Sequence, residues 1–108
     1  MSRFAEVAQR LAAVIASRRG ADPGSSWSAR LIASPPLAAK KLAEEAVETA
    51  LAAVQGDRAA IISESADLIY HWLALLAATD VSLDDVAAAL EAREGRSGVD
   101  EKASRAKT

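Results

Sequence analysis

Two segments set the architecture of this 108-residue chain: KKLAEEAVETALAA at residues 40–53 and ESADLIYHWLALL at residues 64–76. Neither contains glycine or proline, the two residues that are least compatible with a helix interior. Between them lies Gly56, and glycine is the residue that most often follows the end of a helix. We therefore expect one helix over about 35–55 and a second over about 58–78, joined by a tight turn.

Helical patterns also flank this pair of segments. Apolar residues recur at helical spacing between residues 3 and 18, and residues 28–33 are compatible with a short helical turn. Ser82 and Asp85 have the spacing of a capping box, which predicts a helix that ends near Gly95. Four helices with short connections predict an all-α fold, an antiparallel four-helix bundle in a single domain.

The bundle is expected to occupy residues 1–94. The remaining segment, residues 95–108, is polar, charged and poor in apolar residues. Because such a segment buries too little apolar surface to offset its conformational entropy, we predict a flexible C-terminal tail.

The composition favours thin helices that approach one another closely. Hydrophobic residues make up 51% of the chain, and 27 of them are alanines, the residue with the highest helix propensity. Alanine-rich helices bury little large side-chain surface in a monomer, so we expect a homodimer or a higher homo-oligomer. Cysteine is absent and there is one histidine, which excludes disulfides and a zinc site with nitrogen and sulfur ligands from one chain.

The net charge of −2 is distributed in blocks along the chain. Residues 1–41 carry +5, residues 44–85 carry −8 and residues 86–108 carry +1. An acidic centre gives no support for nucleic-acid binding, which usually requires a basic patch. The longest uncharged apolar-rich stretch, residues 68–79, has 12 residues and is too short to cross a bilayer. No signal-peptide core is present either, so we expect a soluble cytoplasmic protein without a membrane partner.

The acidic centre contains two carboxylate pairs of matching form, Glu45 with Glu48 and Glu64 with Asp67. The members of each pair lie within about 60° of one another around their helix. In an antiparallel hairpin that turns at Gly56, the two pairs lie about equally far from the turn, so the four carboxylates face each other at one level. Such a cluster needs a neutralising cation, and ligands that are all oxygen select Mg²⁺, with Mn²⁺ as a substitute.

Two alternatives compete with a magnesium site. Glu-x-x-Glu is common on solvated helix faces, although the helix that carries the second pair is apolar nearly all round and has little solvated face. A di-iron centre needs two Glu-x-x-His pairs, whereas this chain has only His71. Within the chain, His71 is expected to be the hydrogen-bonded partner of a carboxylate.

The two carboxylate segments, with ADPGSSWSARLIA at residues 21–33 and VSLDDVAAALEAR at residues 81–93, resemble the phosphoribosyl-ATP pyrophosphohydrolase family. The resemblance covers about residues 4–94. Paired Glu-x-x-Glu and Glu-x-x-Asp motifs are shared by the wider superfamily of all-α nucleoside triphosphate pyrophosphohydrolases. The Asp-Pro-x-Ser-Ser segment and the Tyr-His after the aspartate are similar to the narrower family, which often has tyrosine in place of Trp27 and glycine in place of Ala43.

The resemblance implies hydrolysis of the α–β phosphoanhydride of phosphoribosyl-ATP, giving phosphoribosyl-AMP and pyrophosphate in the second step of histidine biosynthesis. Magnesium held by the four carboxylates would stabilise the leaving pyrophosphate and lower the pKa of a bound water. Glu44, beside the ligand stripe, is the candidate for orienting or deprotonating that water, or alternatively a ligand of a second ion.

A polyanionic substrate also requires positive charge beside the acidic site. Lys41 is the first candidate for a phosphate contact, followed by Lys40 and Arg30. Ser26, in the serine-rich loop, is a candidate for phosphate or ribose contacts, and His71 is placed with this substrate-binding group. Two alternative functions are a house-cleaning pyrophosphohydrolase that acts on a free or damaged nucleoside triphosphate, and a non-catalytic helical module whose acidic face binds a basic partner.

Overall fold

A computed structural model describes residues 2–96 and Gly98, and most of the predicted tail, residues 95–108, lies outside them. Within the described residues the chain is all-α, as the sequence predicts. It forms five helices rather than four, because the segment expected to make only a short turn is a complete helix. The helices are α1 (Arg3–Ser17), α2 (Trp27–Ala33), α3 (Pro35–Gln55), α4 (Arg58–Ala78) and α5 (Leu83–Glu91).

Local capping signals define where each helix begins. Every helix is preceded by a residue whose side-chain oxygen accepts a hydrogen bond from a backbone N–H in the first turn, which satisfies an otherwise unpaired donor. These residues are Ser2, Ser26, Ser34, Asp57 and Ser82. The capping box before α5 is confirmed: the Ser82 N–H donates to Asp85 over 3.1 Å, and the Asp85 N–H donates to Ser82 Oγ over 3.0 Å.

The α3–α4 hairpin forms the centre of the fold. Gly56 follows α3 in the left-handed conformation, with φ of 70°, and its N–H donates to the last carbonyls of that helix. Asp57 then begins α4, so the two 21-residue helices pack antiparallel along their length. This arrangement brings Glu64 of the second carboxylate pair to the level of Glu45 and Glu48.

The helices α1 and α2 pack mainly on α4. Arg19, just beyond the end of α1, donates to the carbonyl oxygen of Ala77 over 2.6 Å, so the C-terminal ends of α1 and α4 lie together. The helix α1 therefore runs in the same direction as α4, and the antiparallel relation expected from the sequence holds for α3 and α4. The four helices α1, α2, α3 and α4 share a small core. Its buried residues are Ile15, Leu31, Ile32, Ala38, Leu73 and Ala74.

The helix α4 is long and apolar enough to cross a membrane by length and composition, although the uncharged stretch within it, residues 68–79, is too short by itself. A core helix of a soluble protein meets the same criterion. In the part of the chain that the structure describes, α4 packs against α1, α2 and α3 and carries Glu64 and Asp67, so its apolar character has an explanation in the fold.

The turn at Gly56 provides a test of the hairpin. A Cβ at this residue meets no neighbouring atom, so the penalty of Gly56→Ala comes from the left-handed backbone alone. We expect Gly56→Ala to lower the free energy of unfolding by about 1 kcal/mol, and Gly56→Asn to lower it less, because asparagine tolerates this conformation better. Urea denaturation of the three proteins measures the difference. An alanine variant as stable as the wild type would contradict the assigned turn.

Candidate metal centre

Three carboxylates meet across the α3–α4 hairpin. One oxygen from each of Glu45, Glu48 and Glu64 lies within 4.8 Å of the others. Glu45 is buried, with 9% of its surface exposed, Glu64 is half-buried and Glu48 is exposed. The register argued from the sequence therefore brings together both residues of the first pair and the first residue of the second.

The fourth predicted ligand, Asp67, lies one turn further along α4 and is exposed. It is not among the residues whose oxygens meet within 4.8 Å, and its side chain is one methylene shorter than that of glutamate. Its charge nevertheless acts on the cluster, since it contributes to raising the pKa of both Glu45 and Glu64. Asp67 thus lies at the edge of the cluster.

Two oxygens of the cluster lack a hydrogen-bond donor. Glu45 Oε2 and Glu64 Oε2 are both buried and have no partner. A buried, unpaired carboxylate oxygen is costly, because it has lost its water without gaining a replacement. A hard divalent cation provides what these atoms lack, so the residues fit a magnesium-type ion.

The electrostatics of the cluster lead to the same interpretation. The pKa of Glu64 is raised to about 7, first by a hydrogen bond shared with Glu48 and then by burial and the neighbouring negative charges. The pKa of Glu45 is raised mainly by burial, with a further contribution from Glu48. Without a cation the cluster favours protonation, since three carboxylates cannot all remain ionised at this spacing without a large repulsion.

Glu44 differs from the carboxylates of the cluster, because its pKa is lowered rather than raised. Lys41 Nζ donates to Glu44 Oε2 over 2.9 Å, and this hydrogen bond lowers the pKa of Glu44. Glu44 is therefore ionised at neutral pH and can accept a proton or a hydrogen bond. Lys40 is exposed on the next position of α3, and its charge also lowers the pKa of Glu44.

Both ring nitrogens of the buried His71 are engaged within the chain. The indole N–H of Trp27 can only donate, so His71 Nε2 accepts across the 3.2 Å between them. The proton must then lie on Nδ1, which donates to the backbone carbonyl of Asp67 over 2.8 Å. The partners are an indole and a carbonyl rather than the side-chain carboxylate expected from the sequence.

The loop before α2 is held by its own hydrogen bonds. Ser26 Oγ accepts from the N–H of Ala29 as the cap of α2, which accounts for this serine without a ligand. Arg30 Nε donates to the carbonyl of Pro23 over 3.2 Å. Ser28 Oγ and the Tyr70 hydroxyl form a hydrogen bond of 2.6 Å. The sequence did not predict this contact, and its only signal there is the tyrosine next to His71.

Comparisons with known proteins show what this chain is similar to. A model of the phosphoribosyl-ATP pyrophosphohydrolase family matches residues 8–94. A protein of Caulobacter vibrioides strain NA1000 / CB15N named phosphoribosyl-ATP pyrophosphatase is 62% identical over 104 residues, covering 96% of this chain and 97% of its own. Proteins with the same name from Parvibaculum lavamentivorans, 57% identical over 97% of both chains, and Paracoccus denitrificans, 59% identical over 89% of this chain and 90% of its own, are also similar.

The raised pKa of Glu64 predicts how the metal-free protein responds to pH. Between its ordinary pKa of 4.5 and its folded pKa of about 7, the folded state retains a proton that the unfolded state has lost. The free energy of unfolding therefore falls as the pH rises through this interval. We expect Glu64→Gln to reduce that fall. In the presence of a chelator, its melting temperature should therefore decrease less between pH 4.5 and 7 than that of the wild type.

Glu91→Gln is the matched control, because Glu91 is an exposed carboxylate in α5, which contributes nothing to the cluster. Its melting temperature should follow that of the wild type over the same interval. If the melting temperatures of the wild type and Glu64→Gln change in parallel with pH, the pKa of Glu64 is not raised.

Proposed function

We propose, because this chain belongs to the phosphoribosyl-ATP pyrophosphohydrolase family, that it hydrolyses the α–β phosphoanhydride of phosphoribosyl-ATP. The products are phosphoribosyl-AMP and pyrophosphate, in the second step of histidine biosynthesis. The observation that supports this chemistry most directly is the meeting of Glu45, Glu48 and Glu64 with two buried, unpartnered oxygens. These atoms suit a cation of the kind that phosphoanhydride hydrolysis uses.

The proposed ligands are Glu45, Glu48, Glu64 and Asp67, and the proposed ion is Mg²⁺, with Mn²⁺ as a substitute. When bound, the ion supplies positive charge that stabilises the leaving pyrophosphate and acidifies water. The chain contributes Glu44, which is ionised and adjacent in sequence to the first ligand, to orient the attacking water and accept its proton. Its lowered pKa keeps Glu44 ionised and able to accept a hydrogen bond from that water, while making it a weaker base than an unperturbed carboxylate.

The phosphates of the substrate need further positive charge. Arg30 of α2 and Lys41 of α3 both lie over the ring of Trp27, and Lys40 is exposed next to Lys41 in α3. We assign phosphate contacts to these three cations. Ser26 and His71 remain proposed substrate contacts, although their present hydrogen bonds leave only the Ser26 O–H free to donate.

The functional domain is proposed to be residues 1–94. All proposed site residues lie between Ser26 and His71, and the family match ends at residue 94. A nucleotide substrate is soluble, which supports a cytoplasmic location without a membrane or nucleic-acid partner.

We further propose that the chain is a homodimer that pairs through α3. Val47, Leu51 and Val54 recur at helical spacing and are each more than half exposed, at 59%, 53% and 86%. Such an apolar stripe is unfavourable in water unless it is covered. Pairing two α3–α4 hairpins would place the four-helix arrangement between two copies rather than within one.

The activity is tested with a substrate panel. Incubation with phosphoribosyl-ATP and Mg²⁺ should release pyrophosphate, with much slower release from dCTP and dUTP. Faster hydrolysis of a free triphosphate would favour a house-cleaning enzyme, and release of orthophosphate would contradict the cut at the α–β bond.

Glu48→Gln and Asp67→Asn should abolish turnover, lose the Mg²⁺-dependent rise in melting temperature and keep the wild-type helicity, whereas Glu91→Gln should retain all three properties.

The dimer is tested by Leu51→Glu. Because the Leu51 side chain is exposed in one copy, the substitution should leave the fold intact and produce a monomer, measured by size-exclusion chromatography with light scattering. Leu90→Glu alters an equally exposed leucine, at 60%, on α5 and should remain dimeric. A wild type that is monomeric, or a Leu51→Glu protein that is still dimeric, would show that α3 is not the interface.

A further inference from the structure

Trp27 joins three helices through one side chain. It is the first residue of α2, and its Nε1 donates to Nε2 of His71 in α4 over 3.2 Å. Its ring has Arg30 Cζ of α2 at 5.6 Å and Lys41 Nζ of α3 at 6.0 Å from its centroid. The indole is therefore the common neighbour of two cations beside the carboxylate cluster.

The orientation of this ring is fixed from α4. His71 cannot rotate freely, because its other nitrogen donates to the backbone of its own helix. The indole N–H then fixes the rotation of Trp27 relative to α4, and the two rings meet edge to face, at 72°. The 2.6 Å hydrogen bond between Ser28 Oγ and the Tyr70 hydroxyl is a second link between α2 and α4.

A fixed indole places positive charge in a defined position. The face of a tryptophan ring attracts ammonium and guanidinium groups, and Trp is the strongest side chain in this respect. Arg30 and Lys41 each have one further partner, the carbonyl of Pro23 and the carboxylate of Glu44. Each long side chain is thus held at two points, and Lys41 is held outside the cluster, on Glu44.

We propose that Trp27 is a positioning residue for phosphate recognition, whose ring holds Arg30 and Lys41 where they meet the phosphates of the substrate. The inference rests on the proposed function in that it takes those two cations as phosphate contacts. Trp27 acts through them and makes no contact with the reacting bond. Its loss should therefore weaken polyphosphate binding and raise KM while kcat changes little.

The experiment compares Trp27→Phe with Trp27→Leu. Phenylalanine keeps a ring face and loses the N–H, whereas leucine loses both. Binding of inorganic tripolyphosphate in the presence of Mg²⁺ is measured by isothermal titration calorimetry, and KM and kcat are measured with phosphoribosyl-ATP. We expect Trp27→Leu to weaken binding and raise KM by about three- to tenfold, and Trp27→Phe to recover part of the loss, because it keeps the ring face but not the N–H that orients it.

A double-mutant cycle tests whether the effect passes through the cations. In a Lys41→Met background, Trp27→Leu should have a clearly smaller effect on tripolyphosphate binding than in the wild type. Arg58→Met is the control, because Arg58 lies 13 residues before His71 on α4, about 20 Å away at 1.5 Å per residue. The effects of Trp27→Leu and Arg58→Met should simply add.

Either of two results would overturn the proposal. One is additive effects of Trp27→Leu and Lys41→Met, and the other is no tripolyphosphate binding by the wild type. Circular dichroism of both Trp27 variants confirms that any loss is measured on folded protein. Failure of the proposed function is distinguishable, because tripolyphosphate binding does not depend on which nucleotide is hydrolysed.

Discussion

Repulsion among Glu45, Glu48 and Glu64 opposes the contact between α3 and α4 on which the rest of the fold is assembled. The cost is visible in two buried oxygens without a donor and in a Glu64 pKa of about 7. Antiparallel packing of two 21-residue helices around Gly56 holds the carboxylates together despite it. A site that is destabilising when empty and complementary to a cation gains stability when the ion binds, so folding and metal affinity are linked at this point.

The alanine content explains how so small a core keeps that geometry. Ala38 and Ala74 have no exposed surface, and a side chain of one carbon lets helix axes approach closely. Among the residues that the structure describes, Ile15 and Leu31 are the only large side chains that are completely buried, so one copy has little apolar burial with which to resist the repulsion. The exposed stripe of Val47, Leu51 and Val54 is the apolar surface that the proposed pairing of two copies would add.

The parts of this structure that depend on local chemistry were predictable from the sequence. The bounds of α3 and α4 follow from a serine before proline, from Gly56 and from Asp57, and the carboxylate register follows from counting residues on either side of the turn. The helix α2 was underestimated because its seven residues owe their stability to the burial of Leu31 and Ile32 in a core formed by distant segments. The side-chain partner of His71 is Trp27, which lies 44 residues away, and no spacing rule identifies such a contact.

The cations beside the cluster do not substitute for the metal ion, and the reason lies in the way they are held. Lys41 is close enough to the cluster that the charges of Glu45 and Glu48 raise its pKa, after the larger effect of Glu44. Its ammonium nevertheless donates to Glu44, the carboxylate outside the cluster, and lies against the Trp27 ring. The oxygens of Glu45 and Glu64 therefore stay without a donor although a lysine is near. The proposed metal site and the proposed phosphate site can be adjacent in a domain of this size only if their charges are prevented from neutralising each other, and the contacts of Lys41 with Glu44 and Trp27 act in this direction.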